Sequence, residues 1–526
     1  MQYLRIKTMV RLINTICKLH FTQIVYQVIY RINRPVYKYY YLNMDLPHII
    51  MIYPISKMAC CTNNNLFFLN KSDTFYNWND TRHGMLWAYN LNYMDWLSQD
   101  GIDFNEGARW INLFINSINE NKIGLEPYPI AMRGINWIKF ISRNGDKIDS
   151  GQLQKWNNAL YSQYRLLYKS LEFHLMGNHL LEDAYSLFYA AIYFQNIYFY
   201  KRAETLLYTQ LKEQVLDDGA HFEQSPMYHC ILLDRLLDCY NISVHNNVFC
   251  SQCDLNKFLF DRASKMLGHL ESIIYCDRTI PLLNDSAYGI APTPEALFDY
   301  ARRLNISWTP LSLKKCGYRK LTLPNMEAII DIGNITASYQ PGHSHADTFN
   351  YEMRLYDSPF IIDTGISTYD KNSRRQYERS TPAHNTVSIL GRDSSEVWGG
   401  FRVGRRANVT ILEDSLSRVV ALHDGFGCKC THMRTFDISD GNMVIKDELV
   451  GRISKGISYI HFAPDVNIVY YNNNIIRTDR AEIRINGSDN VNILDGQAST
   501  TYNSLCNIKT VAIEFSSNLT YIVVFK

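Results

Sequence analysis

Long apolar runs are missing from this chain. No stretch of its 526 residues approaches about eighteen uninterrupted apolar positions, so no ready-made transmembrane helix is read from it. A charge excess of either sign is missing too. Fifty-three Lys and Arg face 51 Asp and Glu, and the net charge of +2 argues against a general nucleic-acid binder. There is no cysteine framework either: twelve cysteines are scattered, and the single C-x-x-C, Cys250 and Cys253, has no second pair at zinc-ribbon spacing and no βαβ context. Reduced thiols of a cytosolic protein are the simplest reading. A standard leader is not read, because Arg5, Lys7, Arg11 and Lys18 interrupt the apolar residues and no small-residue cleavage site follows.

What is present fits a globular protein, with 46% hydrophobic and 20% charged residues. The length exceeds one ordinary core and predicts two domains. Tyrosine is abundant, at 37 residues, which suits sugar stacking and equally suits ordinary packing. The segment Phe21 to Ile32 reads as a helix packed on the protein body, with peripheral membrane contact as the other reading.

The first three-fifths reads as helical. Leu153, Trp156, Leu160, Tyr164 and Leu167 form one apolar stripe, and similar patterns run through Trp110 to Ile118, Ala184 to Phe194 and Met266 to Ile274. Glu126-Pro127-Tyr128-Pro129 punctuates them. The character changes near Lys314 to Pro324. Beyond it, Glu327 to Asp331, Tyr351 to Tyr356, Val409 to Leu412, Met443 to Asp447 and Tyr521 to Phe525 read as strands. Helices followed by strands predict a helical domain over 1–315 and a β-sandwich over 316–526.

Several clusters carry chemistry. His343 and His345 stand two apart, Asp363 follows eighteen residues after the second, and His384 twenty-one later, a set suited to a divalent metal such as zinc. On a strand His343 and His345 share a face, so that one can bind metal while the other does chemistry. Asp363 ends the apolar run Pro359-Phe360-Ile361-Ile362, at an expected strand end. In Gly177-Asn178-His179-Leu180-Leu181-Glu182, a helix sets Glu182 beside His179, able to orient its imidazole. Ser225-Pro226 reads as a helix start, so Tyr228 falls near a positive dipole end that favours phenolate. Arg133, in Arg133-Gly134-Ile135-Asn136-Trp137, is either a guanidinium for a substrate carboxylate or a structural residue beside a core Trp.

Taken together and in this order, the clusters resemble the heparinase II/III-like superfamily, polysaccharide lyases of the heparinase and alginate lyase type. The likeness is carried by Leu86-Trp87-Ala88-Tyr89-Asn90-Leu91, the Arg133 and Gly177 clusters, Gly219-Ala220-His221-Phe222-Glu223 with Tyr228-His229, and Leu283-Asn284-Asp285-Ser286. Its strongest part is Tyr339-Gln340-Pro341-Gly342-His343-Ser344-His345-Ala346-Asp347, with Asp363-Thr364-Gly365 and Ala383-His384-Asn385-Thr386-Val387.

The resemblance implies an incomplete (α/α) toroid followed by an antiparallel β-sandwich domain, with the cleft between them. It implies β-elimination on a uronic-acid-containing polysaccharide or oligosaccharide, a glycosaminoglycan or alginate among the candidates. Asn178 and His179 would neutralise the uronate carboxylate. Tyr228 would be the general acid, in some members also the base, and His343 the opposing base. Arg133, Asn136, Glu182 and Glu223 would line the substrate. His345, Asp363 and His384 would hold a structural zinc ion, although three protein ligands with an open fourth position are the usual mark of catalytic zinc. Exported lyases of this group carry a leader. None is read here, so a cytoplasmic location is favoured over a periplasmic one, with a capsule or lipopolysaccharide intermediate as substrate. Two alternatives stand beside the lyase: a glycoside hydrolase using Glu182 and Glu223, and a non-catalytic protein that binds glycans or serves their biosynthesis.

Overall fold

A computed structural model describes residues 2–42, 46–427 and 430–525. The side chains of 2–8, Arg5 and Lys7 among them, lie outside the described set. Two helices open the chain, α1 (Gln2–Ile16) and α2 (Phe21–Ile32). The helical domain then runs through α3 (Met85–Tyr93), α4 (Phe104–Asn116), α5 (Pro127–Arg143), α6 (Ser150–Ser170), α7 (Gly177–Tyr193), α8 (Ile197–Gln214), α9 (Pro226–His245), α10 (Gln252–Ile273) and α11 (Pro294–Arg303).

Their starts follow local chemistry. Asp103, Asp149, Asn196, Ser225 and Thr293 each accept a first-turn N–H as N-caps, and Pro127, Pro226 and Pro294 occupy opening positions where no N–H is needed. The helices pack as an incomplete (α/α) toroid around α7, which is apolar on nearly every side and buried from Leu180 to Tyr193. One element was not expected in this half. Cys60–Thr62, Asn65–Phe68 and Lys71–Thr74 form a small antiparallel sheet, turned at Asn63 and Asn64 with φ of 49° and 70°. It sets Phe68 against Trp87 and Trp96.

The second domain stacks two antiparallel sheets. Four strands (Tyr318–Leu323, Met326–Asp331, Tyr351–Leu355 and Ser358–Ile361) form one. The other is a ten-stranded sheet whose long members are Cys430–Ser439, Asn442–Gly451, Glu482–Ala498 and Cys506–Val524. Asn442–Gly451 alternates buried and half-buried residues, as a strand with one covered face does. The core between the sheets includes Tyr351, Met353 and Phe360 with Phe436, Ile445 and Val511.

Within that core Arg434 is buried and donates to Asp447, Phe349 O and Asn385 O. A buried guanidinium is tolerated only when so fully paired. Its two carbonyl contacts fasten the loops that carry Asn350 and His384. The segment between α10 and α11 crosses to this domain: Leu282 N–H donates to Glu352 and Tyr288 N–H to Thr500 O. Among the described residues every cysteine is free, and Cys250 and Cys253 are exposed at the start of α10.

Candidate functional site

The first turn of α7 opens at the junction of the two domains. Gly177 has φ of +58°, and a Cβ there would lie 2.8 Å from Glu223 Oε1. That close approach lets Glu223 grip Asn178 twice, through its backbone N–H at 3.0 Å and its side-chain Nδ2 at 2.8 Å. The same Nδ2 lies 3.3 Å from His343 Nε2. His179, whose side chain is 33% exposed, meets Glu172 Oε2 at 3.1 Å and packs its ring 4.9 Å from Tyr128. Burial lowers the His179 pKa, but the charge and hydrogen bond of Glu172, with Glu223 and Glu182 behind, raise it further. The orienting carboxylate is thus Glu172, from the turn before the helix, and not Glu182.

His343 and His345 do not lie on a strand. Residues 337–350 form a loop held by Ala346 N–H to Arg379 O and by the Arg379 guanidinium on Ser344 O. Pro341 and Gly342 interrupt any ladder there. One buried carboxylate joins the two histidines: Asp285 Oδ2 accepts from His343 Nδ1 at 2.9 Å and Oδ1 from His345 Nε2 at 2.8 Å. Arg375 donates to both oxygens, at 2.5 and 2.6 Å. Burial raises the Asp285 pKa, yet Arg375 and the two histidines hold it well below the usual carboxylate range. A proton on Nδ1, facing Asp285, leaves Nε2 as the nitrogen that faces Asn178 Nδ2 at 3.3 Å and Glu223 Oε2 at 3.5 Å.

Tyr228 stands in the first turn of α9 as expected, but its chemistry differs from expectation. Burial pushes its pKa up, outweighing the hydrogen bond with Tyr369, so the phenol keeps its proton whatever the helix dipole contributes. Its hydroxyl is 3.3 Å from that of Tyr369. Its ring stacks on His343 with centroids 3.9 Å apart. A sugar between them would need about 7 Å, two van der Waals contacts. Tyr228 and His343 therefore lie side by side and do not oppose each other across a substrate.

The four expected substrate-lining residues are turned inward. Arg133 is fully buried and spends its donors on Asn92 O, Gly124 O and Gln163. Asn136 is equally buried and donates to Tyr93 O and Asp95. Glu182 faces Arg235 at 3.5 Å, and burial lifts its pKa to about 7. Glu223 positions Asn178.

Of the expected metal residues, Asp363 and His384 touch and His345 lies near them. His384 Nδ1 contacts Asp363 Oδ2 at 2.7 Å, and the rings of His345 and His384 lie 5.2 Å apart. Three buried atoms here have no protein partner: His345 Nδ1, His384 Nε2 and Asp347 Oδ2. This is the pattern of imidazoles whose far nitrogen is held by a carboxylate, leaving the near one for a cation. Burial lowers the His345 pKa to about 4, which keeps its lone pair free. Burial also lowers that of His384, but Asp363 and Asp347 raise it more, the same negative field that attracts a cation. Asp363 contacts His384, Asn350 and Gly365 N–H, so it orients His384, while Asp347 carries the unpartnered oxygen. Among the described residues, a tighter group lies elsewhere: ligating atoms of Asp218, His269 and Cys316, all buried, are within 4.8 Å of one another.

Three contributors were not singled out from sequence for any role. Arg375 and Tyr369 had no signal, and Glu172 lay outside the noted cluster. Asp285 was seen only as part of a motif.

The family model described as "Heparinase II/III N-terminus" matches residues 66–296, and "Heparinase II/III-like, C-terminal" matches 306–521. A heparin-sulfate lyase of Bacteroides stercoris is 21% identical over 321 residues, 54% of this chain and 45% of that protein. One from Pedobacter heparinus is 23% identical over 248 residues, 42% and 37% of the two chains. These matches span less than half the length of either relative. The solved structure of a heparan sulfate lyase mutant from Pedobacter heparinus superposes with a TM-score of 0.61 at 17% identity, covering 86% of this chain and 79% of that one, which shows a shared fold.

Proposed function

The chain belongs to the heparinase II/III-like superfamily, and from that membership and the residues that converge at its domain junction we propose that it is a polysaccharide lyase that cleaves a uronic-acid-containing glycan by β-elimination. One observation carries the reading. An amide donor (Asn178), an imidazole (His343) and a protonated phenol (Tyr228) converge within a few ångströms at the domain junction, with Asn178 Nδ2 to His343 Nε2 at 3.3 Å and the Tyr228 and His343 rings at 3.9 Å.

The C5 proton of a uronate is weakly acidic until charge on the adjacent carboxylate is neutralised. Asn178 Nδ2, exchanging its contact with His343 Nε2 for the substrate, and the His179 imidazole, biased toward its charged form, can donate to that carboxylate and stabilise the enediolate. A group beside the bound carboxylate is also beside C5, and His343 Nε2 is that group. It takes the C5 proton, the C4–C5 double bond forms, the C4–O4 bond breaks, and the leaving oxygen takes the proton of Tyr228. Asp285 fixes the His343 tautomer.

Hydrolysis fits less well, because it needs a carboxylate pair across the cleft and both Glu182 and Glu223 are buried and engaged. The test is a panel of acidic polysaccharides, including heparan sulfate, chondroitin sulfate, alginate and bacterial capsule and lipopolysaccharide glycans. It is read by ultraviolet absorbance of the unsaturated product. At least one substrate is expected to produce it. New reducing ends without that absorbance would overturn the lyase reading.

The metal reading rests on the three unpartnered atoms. Nitrogen and carboxylate donors suit zinc, with His345 and His384 as ligands and Asp347 and Asp363 beside them. An ion there would be held by His345 and His384 and would supply fixed positive charge beside Asp347. Purified protein is expected to contain metal. His384→Ala is expected to lose it and to melt at a lower temperature. Equal metal content in both proteins removes the site.

A further inference from the structure

The two N-terminal helices are packed inside out. On α2, Gln23 donates to Leu175 O at 2.8 Å, Tyr26 stacks on Phe173 at 4.6 Å, and Tyr30 donates to Leu171 O at 2.5 Å. Spaced three and four apart, these residues define the face that grips the body. The opposite face, at the same spacing, carries Phe21, Ile24, Val28 and Ile32, exposed by 76, 40, 51 and 81%. On α1 the gripping residues are Arg11, on Glu396 at 2.7 Å, and Thr15, accepting from Trp398 Nε1 at 3.3 Å. Met9, Leu12, Ile13 and Ile16 point outward, each exposed by 42% or more.

An amphipathic helix normally buries its apolar stripe. Here two successive helices turn it to solvent, and the segment's charge identifies what covers it. Residues 1–44 contain seven Lys and Arg, from Arg5 to Lys38, and no Asp or Glu. The whole chain, by contrast, is nearly balanced, at +2. An apolar stripe in a purely basic segment complements a negatively charged bilayer surface, where apolar side chains enter the headgroup boundary and cations meet anionic lipids. A second copy of the chain would bring two such basic segments together and repel. No helix among the described residues is long and apolar enough to cross a membrane, so the contact is one of lying on the surface.

We propose that the outer face of α1 and α2 docks the protein onto an anionic membrane surface. Through its inner face α2 packs beside the candidate site, since Glu172, the partner of His179, sits between Leu171 and Phe173. The inference does not depend on the lyase reading, and its test reads no activity.

The test is co-sedimentation of the full chain with phosphatidylcholine vesicles, with and without phosphatidylglycerol. Binding is expected with the anionic lipid, with little to the neutral vesicles, and is expected to weaken as salt rises. Ile24→Asp with Val28→Asp should lower it by about tenfold or more, and Arg31→Glu with Arg34→Glu by a similar factor. All four residues are exposed, so thermal melting should be unchanged. Absence of binding, equal binding to both vesicles, or wild-type binding by both folded variants overturns the proposal. So does a wild-type dimer in sedimentation velocity that the apolar variant makes monomeric.

Discussion

Tyr228→Phe is expected to lower turnover of an acidic glycan by about a hundredfold to ten-thousandfold, with thermal melting and metal content unchanged. The substitution removes one oxygen and keeps the ring that stacks on His343 at 3.9 Å. Among the described residues that oxygen bonds the Tyr369 hydroxyl, at 3.3 Å, so little packing is lost. Because burial raises the Tyr228 pKa, the native phenol holds its proton at neutral pH and serves as the acid. This division of labour makes a second, sharper expectation. In deuterated water the Tyr228→Phe protein should still exchange the C5 proton of a bound uronate, because His343 abstracts it, while His343→Ala should not. Loss of exchange in a folded Tyr228→Phe protein would make Tyr228 the base as well. Full turnover in that variant would remove Tyr228 from the chemistry.

The elements legible in the sequence were those with a repeating signal. The stripe from Leu153 to Leu167 lies within α6, and the change near Lys314 falls just before the first strand of the sandwich, Tyr318–Leu323. The three-strand hairpin at 60–74 was not legible, because strands of three or four residues are too short to show a period.

In the site, Asn178, Tyr228 and His343 converge and His384 touches Asp363 with His345 nearby, since each stood in a dense local cluster. Arg133 misled because residue type was weighed above position: Ile130 and Trp137, three before and four after, share its face and are fully buried, so the stripe carries the guanidinium inward. Glu182 sits likewise between Asn178 and Tyr185 on a helix buried all round. Asp285 and Arg375 had no such pattern to read. One comes from an irregular crossing segment and the other from a six-residue helix, Ser373–Glu378, and only the fold brings them 2.5 Å apart. The histidine pair was read as a strand because alternation was the available template. Its actual organiser is a carboxylate about sixty residues upstream.

That carboxylate is the source of the other large effect. Asp285→Ala should cost about 3–5 kcal/mol of stability, the usual result of stranding one partner of a buried ion pair. Arg375 has no exposed surface, and the other acceptor shown for its guanidinium is Gly400 O, so its charge would remain uncompensated. Asp285→Asn is the informative variant, since it keeps the shape. An amide offers one acceptor oxygen where four donor atoms now converge, from Arg375 Nη1 and Nη2, His343 Nδ1 and His345 Nε2. The tautomers of both histidines lose their anchor together, and turnover and metal affinity should each fall by about 10- to 100-fold.

The pH dependence has a definite sign. The folded pKa of Asp285 is depressed, so its stabilisation is complete above the unfolded value of about 3.9 and fades as pH falls below that toward the folded value. The stability gap between native protein and Asp285→Asn, measured by chemical denaturation, should therefore be constant near neutrality and narrow in acid. A gap that does not change with pH, or an Asn variant with native turnover and metal content, would show that Asp285 merely fills space between the two histidines.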